Sequence, residues 1–200
     1  MRHQAFFIMG VLALGAYGQA LAGVFEDATA AYKRGDYMTA MDLIRPLAEQ
    51  GDVRAQFNLA TMNYTGQGGR QDLAEAAKWF RMAAEQGDMQ AQRYLGFMYA
   101  NGRGVARDDR EAVKWYGRAA EQGDADAQVN LGVMYSASRG TSQNYVQAHK
   151  WFSLAAAGYP ASERQKRQQA VKNSELLAAK MSPEQIAEAQ RLAREWQPQS

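Results

Sequence analysis

The sequence predicts an all-α chain, an α/α solenoid of tandem helical hairpins closed by C-terminal capping helices. Three observations carry that expectation. Trp79, Trp115 and Trp151 are spaced by 36 residues, and periods of 20–50 residues mark stacked supersecondary units. Within each period, apolar residues fall at i, i+3, i+4, i+7 and i+8, one face of an amphipathic helix. Helix start and stop residues recur in the same register.

The starts are Asp36, Asp72, Asp108 and Asn144, each able to accept a hydrogen bond from the unpaired N–H groups of a helix N-terminus. Glu75, Glu111 and Gln147 follow three residues later, which predicts reciprocal capping boxes. Thr39 takes that place in the first unit, where only the cap is kept. The helices that follow carry Ala76, Trp79, Phe80, Ala83 and Ala84, then Ala112, Trp115, Tyr116, Ala119 and Ala120, then Ala148, Trp151, Phe152, Ala155 and Ala156. Large residues at one end and small ones at the other let neighbouring helices approach closely. Burial of each aromatic contributes roughly 1.5–3 kcal/mol, so these tryptophans read as core rather than as a ligand cage.

Each of these helices is predicted to stop at a glycine, Gly51, Gly87, Gly123 or Gly158, because glycine reaches the left-handed conformation without a Cβ clash. Asp52, Asp88 and Asp124 come next and suit the N-cap of the following helix, so Gly-Asp reads as a hinge between units. The other helix of each unit is marked by Ala55, Leu59 and Met62; Ala91, Leu95, Met98 and Tyr99; and Ala127, Leu131, Met134 and Tyr135. Ala60, Gly96 and Gly132 provide for tight contact with its partner. Loops beginning at Thr65, Asn101 and Ala137 join the two helices, the first two with paired glycines. The first unit is shortened, with Arg34-Gly35 for its loop, and Pro46 is expected to kink or break its second helix. After Tyr159-Pro160 the pattern ends in a helical stretch to about Lys180. Ser182-Pro183-Glu184-Gln185 then opens a last helix with a capping box, and Ile186, Ala189, Leu192, Ala193 and Trp196 are expected to cover the end of the stack.

The predicted organisation is thus a signal peptide at 1–22, a repeat solenoid at 23–158 (a shortened unit 23–50, then 51–86, 87–122 and 123–158), and capping helices at 159–200. The signal rests on Arg2 and His3, an apolar run from Ala5 to Tyr17, and the small-x-small site Ala20-Leu21-Ala22 ahead of Gly23. That run is short of the roughly 20 apolar residues that span a bilayer, so cleavage is expected rather than a retained anchor, and no stable span afterwards. Arg2 is the one Lys, Arg, Asp or Glu before Gly23, so the remainder keeps 22 of 23 basic residues against 21 acidic ones, a net of +1. This balance gives no field for nucleic acid. The chain has no cysteine, which removes disulfides, thiolate nucleophiles and Cys-based zinc sites.

The pattern from Ala91 to Asp124, AQRYLGFMYANGRGVARDDREAVKWYGRAAEQGD, resembles the Sel-1-like repeat, a family of the tetratricopeptide-like α/α solenoids. The resemblance runs from about Gly23 to Gly158, and KMSPEQIAEAQRLAREW is similar to C-termini of bacterial members. Asn63 departs from it, standing where the later units have Tyr99 and Tyr135. What the resemblance implies is an exported bacterial interaction scaffold or adaptor, regulatory or assembly-related, in the cell envelope, without a shared catalytic site. A distant cysteine-rich branch of the family is associated with β-lactams, which makes a peptidoglycan- or β-lactam-acting enzyme the alternative. This chain lacks both cysteine and a Ser-x-x-Lys motif.

Chemistry-bearing residues are sparse. His149 is the one histidine after the signal, sits where Ala77 and Val113 stand in earlier units, and reads as a surface or half-buried structural residue. No catalytic, cofactor or metal set is expected. The paired glycines of Thr65–Gly69 lack the Lys-Ser/Thr ending and the preceding strand of a phosphate loop. Asn63-Tyr64-Thr65 is a formal glycosylation sequon. The Arg164, Lys166, Arg167 and Lys172 cluster reads as a solvated helix face. The remaining candidates lie on the free face of the first helices, where residues change from unit to unit: Arg54, Phe57, Asn58 and Thr61; Gln90, Arg93, Tyr94 and Phe97; Asp126, Val129, Asn130 and Val133. Aromatic and Arg groups of this kind are typical interface anchors. The expected function is protein or peptide binding in a concave groove lined by these residues, in the periplasm of a Gram-negative cell, with secretion as the alternative address.

Overall fold

The computed structural model describes residues 23–199, so the predicted signal at 1–22 lies outside the described residues. The chain is an α/α solenoid of tandem hairpins, helical throughout and without strands among the described residues. Helix α1 spans 23–33, followed by α2 (Tyr37–Glu49), α3 (Val53–Thr65), α4 (Leu73–Glu85), α5 (Met89–Asn101), α6 (Asp109–Glu121), α7 (Ala125–Ser136) and α8 (Tyr145–Gly158). A 3-10 turn (Ala161–Glu163) leads to α9 (Arg164–Ala178) and α10 (Pro183–Glu195). Two compact units result, one up to Met82 and one from Ala83.

The predicted N-caps form. Asp36, Asp72, Asp108 and Asn144 accept from the backbone N–H three residues on. The reciprocal halves of the repeat capping boxes do not form. The cap N–H groups of Asp72, Asp108 and Asn144 donate instead to Asn63, Tyr99 and Tyr135 carbonyls in the last turn of the preceding helix. Glu111, released from that duty, accepts the Trp115 indole N–H at 2.9 Å and pairs with Lys114. Only α10, whose Ser182 and Gln185 bond each other's backbone N–H groups, shows the full box among the described residues.

Stops at Gly51, Gly87 and Gly123 are left-handed, with φ of 96°, 97° and 100°. Each glycine N–H returns to the carbonyl three back, and the next Asp N–H returns to the carbonyl five back, the paired bonds of a Schellman stop. Gly158 differs from the expectation: it remains helical, and Tyr159 in extended conformation is the cap. Pro46 does not break its helix, since α2 runs through it. Its ring removes one N–H, and the packed face of Ala40, Ile44, Leu47 and Ala48 holds the helix together.

Inside the joints lies an interaction that periodicity alone does not announce. Gln56, Gln92 and Gln128 are buried, and each donates its side-chain amide to the carbonyl eight residues back, Ala48, Ala84 or Ala120, at 3.1 Å. The bond pins the last turn of one helix to the first turn of the next. In the middle joint Gln122 closes the arrangement by donating to Gln92 Oε1 at 2.8 Å. Thirty-six residues further on stands Gly158, and Gln128 Oε1 is left buried without a partner.

The small residues do what the sequence requires of them. A Cβ on Gly96 would sit 2.8 Å from the Tyr116 ring, and one on Gly132 2.8 Å from the Phe152 ring. Asn63, the departure from the repeat, is buried and donates to the Leu59 carbonyl at 2.8 Å, so the sequon asparagine is a packing residue. His149 is buried, not half-exposed, with Nδ1 3.3 Å from Ser153 Oγ. At the C-terminal end α10 buries Ala189 and packs on α8, Trp196 meets Trp151 edge-on at 6.4 Å, and the Gln199 N–H donates to the Glu121 carbonyl.

An unmade buried hydrogen bond costs about 1–3 kcal/mol. Gln92→Leu removes the bonds to the Ala84 carbonyl and from the Gln122 amide, each of which keeps a second partner in the Gly87 backbone, and should destabilise by about 2 kcal/mol in urea unfolding. Gln128→Leu removes an acceptor that is already unpaired and should cost about 1 kcal/mol less. Equal losses would show that the Gln122 contact contributes nothing.

Candidate functional site

The candidate residues lie on α3, α5 and α7, and their environments differ sharply. In the N-terminal unit, Arg54 and Asn58 are exposed, while Phe57 and Thr61 are half-buried. Phe57 packs against Phe80 at 5.8 Å between centroids, and the Arg54 guanidinium stacks over the Phe25 ring at 4.3 Å. Thr61 donates to the Phe57 carbonyl. Asn58 and Thr61 line a cavity of about 240 Å³ whose other walls are Phe25, Ala28, Thr29 and Tyr32 from α1, Ala40 and Ile44 from α2, and Met62 and Gln67.

The sequence pattern does not announce this cavity. Its far wall belongs to the shortened first unit, which lacks the Trp-containing stripe. The available signal is the set Phe25, Ala28 and Tyr32 at i, i+3 and i+7, one apolar face of α1.

In the C-terminal unit, two candidates turn out to be tied together. Arg93 Nε donates to Asp124 Oδ2 at 2.9 Å and lies 3.9 Å from Asp126. Asp124 meanwhile caps α7 through its other oxygen, bonded to the Ala127 N–H at 2.7 Å. Asp126 accepts from the Tyr159 hydroxyl at 2.7 Å and from Lys166 at 3.1 Å. Burial opposes ionisation of Asp126, but the bonds from Tyr159 and Lys166 and the charges of Lys166 and Arg93 outweigh it and hold the carboxyl below its ordinary range. Burial and the same carboxylate push the Tyr159 hydroxyl up. Arg93 and Asp126 are thus a neutralised brace linking α5, α7 and α9, not free recognition charges.

The other candidate residues on that side are uncharged. Tyr94 and Phe97 are half-buried one turn apart on α5, with Gln90 exposed beside them, and Asn130 (half-buried) and Val133 (exposed) on α7. Val129 is half-buried against the α8 core instead. Arg93 and Arg103 lie over the Tyr94 and Phe97 rings at 4.9 and 6.0 Å. A second brace holds the loops: Arg139 donates to both oxygens of Asp109 and to the Ala100 carbonyl. Bonds from Arg139 and then Arg107 keep the Asp109 carboxyl far below the usual range.

The hairpin register, the glycine–aromatic contacts and the loops are those of one repeat type. The Sel1 repeat matches residues 53–88, 90–124 and 125–159, more than half of the sequence. The chain belongs to the Sel1 repeat family. Proteins with Sel1 repeats generally serve as protein–protein interaction scaffolds and are generally non-enzymatic, so protein partners are the class the repeats suggest. Among solved structures, the chain is similar to c5321, a protective antigen of uropathogenic Escherichia coli with an SLR fold, at TM-score 0.75 and 31% identity. That alignment covers 90% of this chain and 38% of the other, so the chain spans little more than a third of its length. A Sel1 repeat protein from Oxalobacter formigenes aligns at TM-score 0.64 and 28% identity, over 84% of this chain and 74% of that one. No curated protein matches the sequence. Among the described residues no helix is long and apolar enough to cross a membrane.

Because the Asp126 carboxyl is held below its unfolded value near 3.9, its contribution is complete above about pH 4 and fades as pH falls through the lowered value. Asp126→Asn should therefore be less stable than wild type at pH 7, with the gap closing below about pH 4 in thermal unfolding. A gap that stays constant from pH 7 to strongly acidic pH would remove the brace from the account.

Proposed function

We propose that this Sel1 repeat protein is an exported, non-enzymatic adaptor of the bacterial envelope, periplasmic in a Gram-negative cell, that binds a protein or peptide on the free faces of its first helices. The observation that carries the reading is the Tyr94–Phe97 pair on α5. Both rings are large, incompletely buried and outside the repeat core; Arg93 beside Tyr94 is paired with Asp124, and Arg103 lies over the Phe97 ring. Aromatic residues and Arg together are the composition enriched at interfaces. Export is supported by the basic start, short apolar run and Ala20-Leu21-Ala22 site of the first 22 residues. Groove binding is supported by the unit-to-unit variation of Arg54, Gln90 and Asp126 and of Asn58, Tyr94 and Asn130, set against a constant core stripe.

The scaffold reading is tested by crosslinking the protein in an envelope extract, identifying what it captures, and measuring affinity for that partner. Tyr94→Ala with Phe97→Ala should weaken binding at least about tenfold, the scale of lost aromatic hot spots, while circular dichroism stays helical. Unchanged affinity would sink the assignment of this face.

A further inference from the structure

The cavity in the N-terminal unit has a size and a lining that restrict what could occupy it. At about 240 Å³ it is smaller than the roughly 300–1,000 Å³ of sites that enclose a whole small molecule, so it fits one large side chain. Its floor is apolar, with Ala28, Ile44 and Met62 all buried. Polar groups stand at the mouth, Asn58 among them, exposed and able to donate and accept at once. No ionisable carboxylate or cation lines the cavity itself.

One charge is placed beside this mouth. Arg54 stacks on the Phe25 ring, which forms part of the wall, with its guanidinium carbon 4.3 Å from the ring centroid. Its nearest carboxylate, Asp52 Oδ2, is 3.8 Å away, and the Arg54 side chain is 70% exposed. Asp52 is committed elsewhere, since its other oxygen caps α3 through the Ala55 N–H at 2.9 Å. The guanidinium sits over the ring and keeps its fork of donors for a carboxylate.

We infer that this cavity is an anchor site for a peptide segment in which a large apolar or aromatic side chain, seated in the cavity, is followed directly by an acidic residue paired with Arg54. The inference rests on the proposed function as a peptide-binding scaffold and names the chemistry of the peptide at this unit. Apolar burial supplies the affinity. Arg54 supplies selection for the acidic neighbour, because an exposed ion pair contributes little to binding but distinguishes charge. Asn58 at the rim offers both halves of an amide hydrogen-bond pair to the peptide backbone between the two side chains.

The test uses methyl-resolved NMR of the full chain with two small probes, acetyl-Phe-Glu-amide and acetyl-Phe-Gln-amide. The acidic probe should shift the methyls of Ala28, Ile44 and Met62, with a Kd on the order of millimolar for so small a ligand. The neutral probe should bind about threefold more weakly, the scale of one exposed ion pair. Arg54→Gln, a surface change, should keep binding and erase that difference; Thr61→Phe, which fills the cavity, should abolish binding of both probes. Unmoved cavity methyls, equal affinities of the two probes for wild type, or shifts confined to α5 and α7 would each overturn the inference. So would nuclear Overhauser contacts from these methyls to the Phe6 or Phe7 rings, which would make the chain's own N-terminal segment the occupant. Concentration-dependent shifts without peptide would make the occupant a second copy and would overturn the inference equally. If the Tyr94/Phe97 variant loses an envelope partner while the cavity methyls ignore both probes, the scaffold reading stands and the anchor site falls. Binding of the probes without a partner that depends on Tyr94 and Phe97 reverses that outcome.

Discussion

The fold depends on a side-chain amide that grips the end of the preceding helix. A helix that stops at a left-handed glycine leaves carbonyls in its last turn without intrahelical partners. The glycine N–H groups take up Ala48, Ala84 and Ala120, and Gln56, Gln92 and Gln128 add a second bond to each from inside the joint. The Asp that follows each glycine returns its own N–H to the same turn. Two helices are thereby fixed at one angle over a short Gly-Asp connection. What reads in the sequence as a hinge is a closed joint. Within the hairpins α5–α6 and α7–α8, the rings of Tyr116 and Phe152 lie against Gly96 and Gly132 at contact distances that exclude even a methyl group.

Rigidity of this kind shapes what the outer faces can recognise. Several charges of the C-terminal unit are spent within the fold: Arg93 on Asp124, Lys166 on Asp126, which also takes the Tyr159 hydroxyl, and Arg139 on Asp109. The net charge is close to zero, so no long-range field steers a partner. Recognition falls mainly to apolar surface and hydrogen bonding, through Tyr94 and Phe97 in one unit and, in the other, the cavity beside Asn58, where Arg54 stays exposed. Such surfaces act at short range and depend on shape, which each packed unit supplies by itself at little ordering cost on binding.

Much of this architecture is legible in the residues. A 36-residue period with Asp caps, glycine stops and a Trp stripe leaves few alternatives to stacked helical hairpins, because each signal acts within one or two turns of chain. The departures from expectation share a different cause. Whether Glu111 bonds the Asp108 N–H or the Trp115 indole depends on the Tyr99 carbonyl, which arrives from the preceding helix. Pro46 is tolerated in α2 because tertiary packing outweighs one missing bond. Gly158 keeps its helical conformation because the chain after it turns into Tyr159-Pro160 rather than into another Gly-Asp joint. For the candidate site the same rule holds. The outward placement of the candidate residues follows from periodicity, while the pairing of Arg93 with Asp124 and the cavity behind Asn58 are contacts made by residues distant in sequence.

The most direct test of the closed joint is amide hydrogen exchange at Asp88 and Asp124, compared with Trp115 in the interior of α6. Both Asp amides bond the preceding helix at 3.1 and 3.0 Å. If the joints are fixed, these amides open only with the unit as a whole and exchange with the protection of Trp115. Exchange orders of magnitude faster than Trp115 would mean that the joints flex as hinges, and the rigid presentation of the outer faces would have to be abandoned.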